Sequence, residues 1–294
     1  MVDVTERDEK TARQALPGDL SPSAWGREAR PRAPSAPGVS LWPIAEPGAA
    51  APADWTRRWA LYLDVDGTLL DIATTPGGVQ VPDGLVATLA HLAHALDGAL
   101  AIVTGRRLVE IDRLLAPLKL TGAGVHGGEM RLAADQPVER LARAFPSSLL
   151  ADIERVSRMT RGIIVELKDS SVAVHYRNAP DAGPAIEQAL ERLLDGGPLG
   201  LVLCSGRKVV EVMPAHVSKG AALRYLSELP VFAGRRPIMI GDDVSDETAL
   251  AAARTLGGFG LQVAGGCFTR DAARFSGPAD VLAWLKALAA SVPR

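Results

Sequence analysis

The sequence predicts an α/β protein: a doubly wound parallel sheet, interrupted by a smaller α+β unit and preceded by a disordered amino-terminal tail. Three observations carry that prediction. Short apolar runs alternate with helix-period segments toward both ends of the 294-residue chain, as strand–helix–strand crossovers require. Two of those runs end in paired carboxylates, where a parallel sheet places its site. The middle of the chain instead has hairpin-length connections, which favour antiparallel pairing.

Residues 1–54 stand apart. They hold eight of the 21 prolines among many Ala, Gly and Ser residues. Such a stretch cannot bury enough apolar surface to offset the entropy of ordering it. Trp25, Trp42 and Trp55 are the exceptions, able to dock on the body or on a partner.

Residues 60–66 (ALYLDVD) read as a buried strand, and Leu85, Leu89, Leu92 and Leu96 recur at helical spacing. Residues 98–104 (GALAIVT) form a second strand and 109–115 a second helix. Late in the chain, 219–229 reads as a helix, 237–240 as a strand, and 245–253 and 279–288 as helices. Between these lie a helix at 145–159, strands at 162–167 and 171–176, a helix at 185–194, and strands at 199–204 and 208–213. That α-β-β-α-β-β order is expected to be an insertion, 136–214, within a core of 55–135 and 215–294. No internal repeat of solenoid length is visible.

Composition narrows the function classes. With 32 basic and 34 acidic side chains the formal charge is −2, so no nucleic-acid partner is expected. Two cysteines are too few for a disulfide framework. The start, MVDVTERDEKTARQ, lacks the apolar core of a secretory signal. No apolar run approaches the roughly 18 residues of a membrane span. A soluble cytoplasmic protein with no membrane partner is the expectation.

The chemistry concentrates at strand ends. Asp64-Val65-Asp66-Gly67-Thr68 follows the first strand, and side chains two apart on a strand share a face. Two buried like charges are costly unless a hard cation such as Mg²⁺ compensates them. The plainer alternative is a polar loop with Asp66 in a turn. The strand at 237–240 ends in Gly241-Asp242-Asp243, so both strands would contribute to one metal site. Asp246 and Glu247 follow in a helix's first turn, where acids also suit the helix dipole. Thr104, Gly105 and Arg106 close the second strand in a loop suited to an anion. Lys219 opens a helix from which it could reach the same point. Taken singly, Thr104 could be a helix cap and Lys219 a surface lysine.

In this order DVDGTLL, IVTGR, a helix-opening lysine and GDDVSDE resemble the four motifs of the haloacid dehalogenase (HAD) superfamily of phosphatases. The resemblance covers roughly 59–288. It implies a Rossmann-like core with a C2B-type cap, Asp64 as nucleophile and Asp66 as general acid and base. It further implies Mg²⁺ held by Asp64, the backbone carbonyl of Asp66 and Asp242, with Asp243 and Asp246 in support. Thr104 and Lys219 would bind the phosphoryl oxygens. Ser245, Leu250 and Thr104 stand where Thr, Phe and Ser are more usual in that superfamily, and each keeps the needed chemistry.

The inserted segment and the stretch just before it point to the substrate. His126-Gly127-Gly128-Glu129-Met130-Arg131, then Glu166-Leu167-Lys168, His175-Tyr176-Arg177 and Gly206-Arg207-Lys208-Val209-Val210-Glu211 resemble segments of trehalose-6-phosphate phosphatases. That resemblance implies a substrate set of Gly105, Arg106, His126, Gly127, Glu129, Arg131, Glu166, Lys168, His175, Arg177, Lys208 and Glu211. It also implies association with a trehalose-phosphate synthase. Charged side chains that bind in pairs suit sugar hydroxyls. Lys208 and Glu211 have opposite strand parity, so a turn or bulge is expected near Lys208. A cap whose polar face merely meets water, with His175 satisfying a strand end, is the plainer alternative. The rival functions are another capped sugar-phosphate phosphatase, of sucrose-phosphate or glycerate type, and a catalytically silent sugar-phosphate-binding regulator.

Overall fold

The computed structural model describes residues 54–72, 78–140, 145–167, 171–195, 200–206, 208–215 and 217–292. The expectation for the tail falls, except for Asp54, outside these residues, as does Lys168. Trp55 is described: it lies in a one-turn helix, α1 (Trp55–Arg58), and is buried in the main core.

The large sheet begins with β1 (Trp59–Leu63), whose five residues are all buried, as a strand covered on both faces must be. Helix α2 (Leu85–Ala95) buries Leu85, Leu89 and Leu92 along one stripe. Then come β2 (Leu100–Val103), α3 (Leu108–Leu114), β3 (Thr121–Gly124), β4 (Glu129–Arg131) and β5 (Glu139–Arg140). The smaller unit follows: α4 (Ser147–Arg158), β6 (Ile164–Leu167), β7 (Val172–His175), α5 (Gly183–Leu194), β8 (Leu201–Gly206) and β9 (Val209–Pro214). The chain closes with α6 (Lys219–Glu228), β10 (Arg236–Gly241), α7 (Val244–Thr255), β11 (Phe259–Gln262) and α8 (Pro278–Ser291).

The seven-stranded order is β11-β10-β1-β2-β3-β4-β5. Strands β11, β10, β1, β2 and β3 are parallel, while β4 and β5 fold back antiparallel. From β1 the chain steps one way to β2 and β3; from β10 it steps the other way to β11. Right-handed crossovers therefore put α2 and α3 on one face and α6 and α7 on the other, and α2 packs on α8 as α6 packs on α7. The reversal lies between β1 and β10, where a doubly wound sheet opens a crevice at its carboxyl ends.

The second sheet, β6-β7-β9-β8, is antiparallel throughout. One face, with Val172, Val174, Val210 and Val212, packs on Leu149 and Ile153 of α4 and on Ile186 and Leu190 of α5. By register the opposite face carries Glu166, Ala173, Cys204 and Glu211 in one row, with His175 and Val209 in the next pair along. Helix α7 contacts this sheet at β8, and the face lies across a cavity from the carboxyl ends of the large sheet.

Sequence periodicity missed β3, β4, β5 and β11. Their segments, TGAG, EMR, ER and FGLQ, are too short or glycine-rich to show alternation, and only pairing with neighbours makes them strands. The large sheet consequently runs to Arg140, past the expected break at 135. Among the described residues no helix is long and apolar enough to cross a membrane.

Candidate active site

Two strand ends meet at the reversal point. β1 stops at Leu63, and the Asp64 N–H extends its ladder by one bond to the Ile240 carbonyl at 3.0 Å. The chain then turns, with the Gly67 N–H donating to Leu70 O at 2.7 Å and the Leu70 N–H to Val65 O at 2.9 Å. The parity argument for Asp64 and Asp66 is thereby corrected, because the pleat ends before either residue and a turn sets them. Asp64 is buried, whereas the Asp66 side chain lines the cavity. Gly67, at φ +81°, permits this turn; a Cβ there would lie 2.1 Å from Asp242 Oδ2.

Lys219 is the first residue of α6, which is capped by Ser218 Oγ accepting the Ala221 N–H at 3.1 Å. Its buried ammonium donates to Asp64 Oδ1 and to Asp246 Oδ1, each at 2.7 Å. The other oxygen of Asp246 accepts the N–H groups of Asp242 (3.2 Å) and Asp243 (3.1 Å), completing a capping box with Asp243. Asp246 thus fills both roles the sequence left open, helix cap and member of the charged cluster. Its i+3 position from the cap residue is what lets one side chain do both.

The ligand oxygens of Asp64, Asp242 and Asp246 lie within 4.8 Å of one another. Three carboxylates against one ammonium leave an excess of two negative charges. Burial, with Asp246 and Asp242 alongside, holds the Asp64 carboxyl well above the usual carboxylate range despite Lys219. Burial, then Asp246 and Asp243, pushes Asp242 up to about 7. Burial works against the charge on Lys219, but Asp246 and Asp64 outweigh it and raise its pKa above that of an ordinary lysine. Such shifts mark negative charge that the protein alone does not compensate. Asp242 Oδ1 is buried without a hydrogen-bond partner among the described residues. The all-oxygen donor set and its excess charge fit one hard divalent cation. Asp243 is not among these three; its Oδ1 accepts the Val244 N–H at 2.8 Å and the residue lines the cavity rim.

Thr104, at the end of β2, is buried, and its Oγ1 accepts the Arg106 N–H at 3.1 Å. The Arg106 guanidinium forks onto Asp66 with two contacts of 2.6 Å. This hydrogen-bonded pairing raises the pKa of Arg106 above its ordinary value. Next to this loop Val125 and His126 adopt φ of 48° and 56°, a region that costs a non-glycine residue roughly 1–2 kcal/mol. Two bonds hold them there: Val125 N–H to Arg106 O and His126 N–H to Thr104 O, both 3.0 Å. Gly127 follows against the Ser218 carbonyl.

A cavity of about 610 Å³ joins these elements to the open face of the small sheet. Its floor includes Asp66, Gly105, Arg106, His126 and Asp242, and its roof Glu166, His175, Arg177, Lys208 and Glu211. Glu166 and His175 pair at 2.8 Å. Lys208 sits in the β8–β9 turn at φ 65°, the break in parity that Lys208 and Glu211 require. Three expected substrate residues among those described do not line the cavity: Gly127, Glu129 and Arg131. Glu129 is buried behind it, accepting the Leu108 N–H at 2.9 Å at the start of α3, with Arg107 Nε 3.5 Å away. Arg131 is buried in a fork onto Asp112, at 2.6 and 2.7 Å. Glu129 and Arg131 both belong to β4, the strand the sequence did not reveal. Sequence reasoning in turn missed Arg107, Ile164 and Asn178, which line the cavity and carry no motif.

The seven-stranded sheet and the four-stranded roof share the fold of a Bacteroides thetaiotaomicron phosphatase of the haloalkanoate (HAD) enzyme superfamily, which superposes with a TM-score of 0.55 over 82% of this chain and 97% of that one, at 20% identity. The trehalose-phosphatase family model matches residues 62–278. The chain is 42% identical over 210 residues to a probable trehalose-phosphate phosphatase of Sinorhizobium fredii, covering 70% of this chain and 78% of that protein. It is 34% identical over 244 residues to the trehalose-6-phosphate phosphatase of Escherichia coli, covering 83% and 91% respectively. The solved C-terminal domain of a Candida albicans trehalose-6-phosphate phosphatase superposes with a TM-score of 0.70 over 80% of this chain and 94% of that one, at 22% identity. The chain belongs to the trehalose-phosphatase family, whose members are phosphoric monoester hydrolases.

Proposed function

We propose that this enzyme hydrolyses trehalose 6-phosphate to trehalose and phosphate through an aspartyl-phosphate on Asp64. The observation that carries the reading is the cavity itself, with Asp66, Asp242 and the Gly105–Arg106 loop at its floor and paired polar side chains on its roof, beside an acid cluster in which Lys219 bonds to Asp64. In the first half-reaction an Asp64 oxygen attacks phosphorus, the bond from phosphorus to the sugar oxygen breaks, and Asp66 gives that oxygen a proton. In the second, water attacks phosphorus, the bond to Asp64 breaks, and Asp66 takes the proton. Lys219 and Thr104 hold the phosphoryl oxygens, where charge stabilisation is the main catalytic contribution. The Arg106 fork occupies both Asp66 oxygens, so it parts, and Asp66 takes a proton from water, before Asp66 donates to the leaving oxygen.

Asp64, the Asp66 carbonyl and Asp242 would hold Mg²⁺, with Asp243 and Asp246 supporting; when bound, the ion neutralises charge on the transferring phosphoryl group. Glu166, His175, Arg177, Lys208 and Glu211 face the sugar, and Glu129 acts through Arg107 rather than by contact. The same reading makes the segment between β5 and α6 a specificity cap, places the enzyme in the cytoplasm and gives it a trehalose-phosphate synthase as partner.

Phosphate release from a panel of sugar phosphates, with and without Mg²⁺, tests the assignment; a preference for any other ester overturns it. Mg²⁺ at a hundredfold excess over its dissociation constant should stabilise the fold by about 2.7 kcal/mol. The matching rise in Tm should be lost in Asp242→Asn, and an unchanged rise in that variant would remove Asp242 from the ligand set. Lys208→Ala should lower kcat/KM for trehalose 6-phosphate about ten- to a hundredfold, the worth of one charged hydrogen bond. A small aryl phosphate that does not reach the roof should be cleaved as before. Equal losses on both substrates would move Lys208 into the chemistry or the fold.

A further inference from the structure

His126 lines the floor of the cavity, and its imidazole reaches the roof. Nε2 lies 3.0 Å from Glu211 Oε2 on β9, and both side chains are largely buried, at 13% and 7% exposure. The ring lies against Gly105: a Cβ on that residue would come within 2.7 Å of Cε1 and of Nε2. Nδ1 is buried and has no hydrogen-bond partner among the described residues, so the ring's polar contact runs through Nε2 to the roof. The backbone of the same residue bonds to the Thr104 carbonyl, and that of Val125 to the Arg106 carbonyl. One residue therefore touches the Thr104–Arg106 loop through its backbone and the roof strand through its ring. Its left-handed conformation, shared with Val125, is strain that persists only where the surroundings enforce it.

We propose that His126 is a positioning residue that latches the roof sheet to the phosphate-binding loop through Glu211, so that the sugar face and the phosphoryl face of the cavity are held in one register. The proposal rests on the phosphatase reading above for its kinetic consequence, but not for its structural one. Because the two residues act as a unit, their removal is non-additive. His126→Ala and Glu211→Ala should each raise KM for trehalose 6-phosphate at least about tenfold with a smaller change in kcat, and the double variant should do no worse than Glu211→Ala alone. Gly105→Ala removes no charge, yet its new methyl displaces the ring, so it should reproduce the His126→Ala effect. His126→Gln, whose amide reaches as far as Nε2, should recover part of the loss.

The structural arm needs no substrate. In Glu211→Ala, amide hydrogen exchange at Val125 and His126 should rise severalfold, although those residues are distant from the substitution in sequence. Multiplicative losses in the double variant, about a hundredfold, would mean two independent sugar contacts and overturn the latch. Unchanged exchange at Val125 and His126 would overturn it as well. If the unaltered enzyme fails to turn over trehalose 6-phosphate, the substrate assignment fails, and the exchange result still decides the latch.

Discussion

Asp64→Asn is expected to remove phosphate release almost completely, by about 10⁴-fold or more, while the protein stays folded. An amide is nearly isosteric with a carboxylate, but it is a poor nucleophile and brings no charge to a cation. The fold should tolerate it because Asp64 is one of three acids around a single lysine. The substitution takes away a buried carboxyl that desolvation, with Asp246 and Asp242, holds above its usual range, and Lys219 keeps Asp246 as its partner. Metal-free stability should therefore be unchanged or slightly higher, while the gain in Tm on adding Mg²⁺ shrinks. Steady-state phosphate release and acid-quench trapping of phosphoenzyme are the measurements. Activity near that of the unaltered enzyme, or phosphate trapped on Asp66, would overturn the assignment of nucleophile.

Lys219→Ala should be costly in a different way. The ammonium is the only cation hydrogen-bonded to Asp64 and Asp246 among the described residues, and all three groups are buried. Deleting it leaves carboxylates facing one another in a low-dielectric site, a loss of about 3–5 kcal/mol in stability. Phosphate turnover should also fall, about 10²–10³-fold, as when one preorganised donor to a developing charge is removed. The two losses separate on adding Mg²⁺, which offsets part of the repulsion and so raises Tm more in the variant than in the unaltered protein. It does not restore turnover, because the donor to the phosphoryl group is still missing. Full stability in the metal-free variant would show that Lys219 is not the compensating charge.

The helices and the long strands were legible because each shows its periodicity within one segment. Leu85, Leu89 and Leu92 form a stripe whatever they pack against, and WALYL reads as a strand covered on both faces. Strands β3, β4, β5 and β11 were not legible, since TGAG or EMR becomes a strand only by pairing with another strand. The consequence reached the site. Glu129 and Arg131 looked like sugar ligands in a motif, but on β4 they point into buried contacts with the start of α3 and with Asp112.

By itself the sequence determined which groups carry charge and in what order: an acid pair after one strand, a lysine opening a helix, and a second acid cluster after another strand. Motif chemistry is local, so it survives without coordinates. Only the tertiary structure decided that Asp66 is set by a turn and paired with Arg106, and that Asp246 both caps α7 and binds Lys219. It alone brought Glu211 of the roof to 3.0 Å from His126 of the floor. Those facts depend on distances between residues up to 155 positions apart, as in the Lys219–Asp64 bond, and no local periodicity encodes such distances. The acid cluster itself forms because β1 and β10 lie side by side at the reversal point of the sheet, so that Asp64 and Asp242 leave adjacent strand ends.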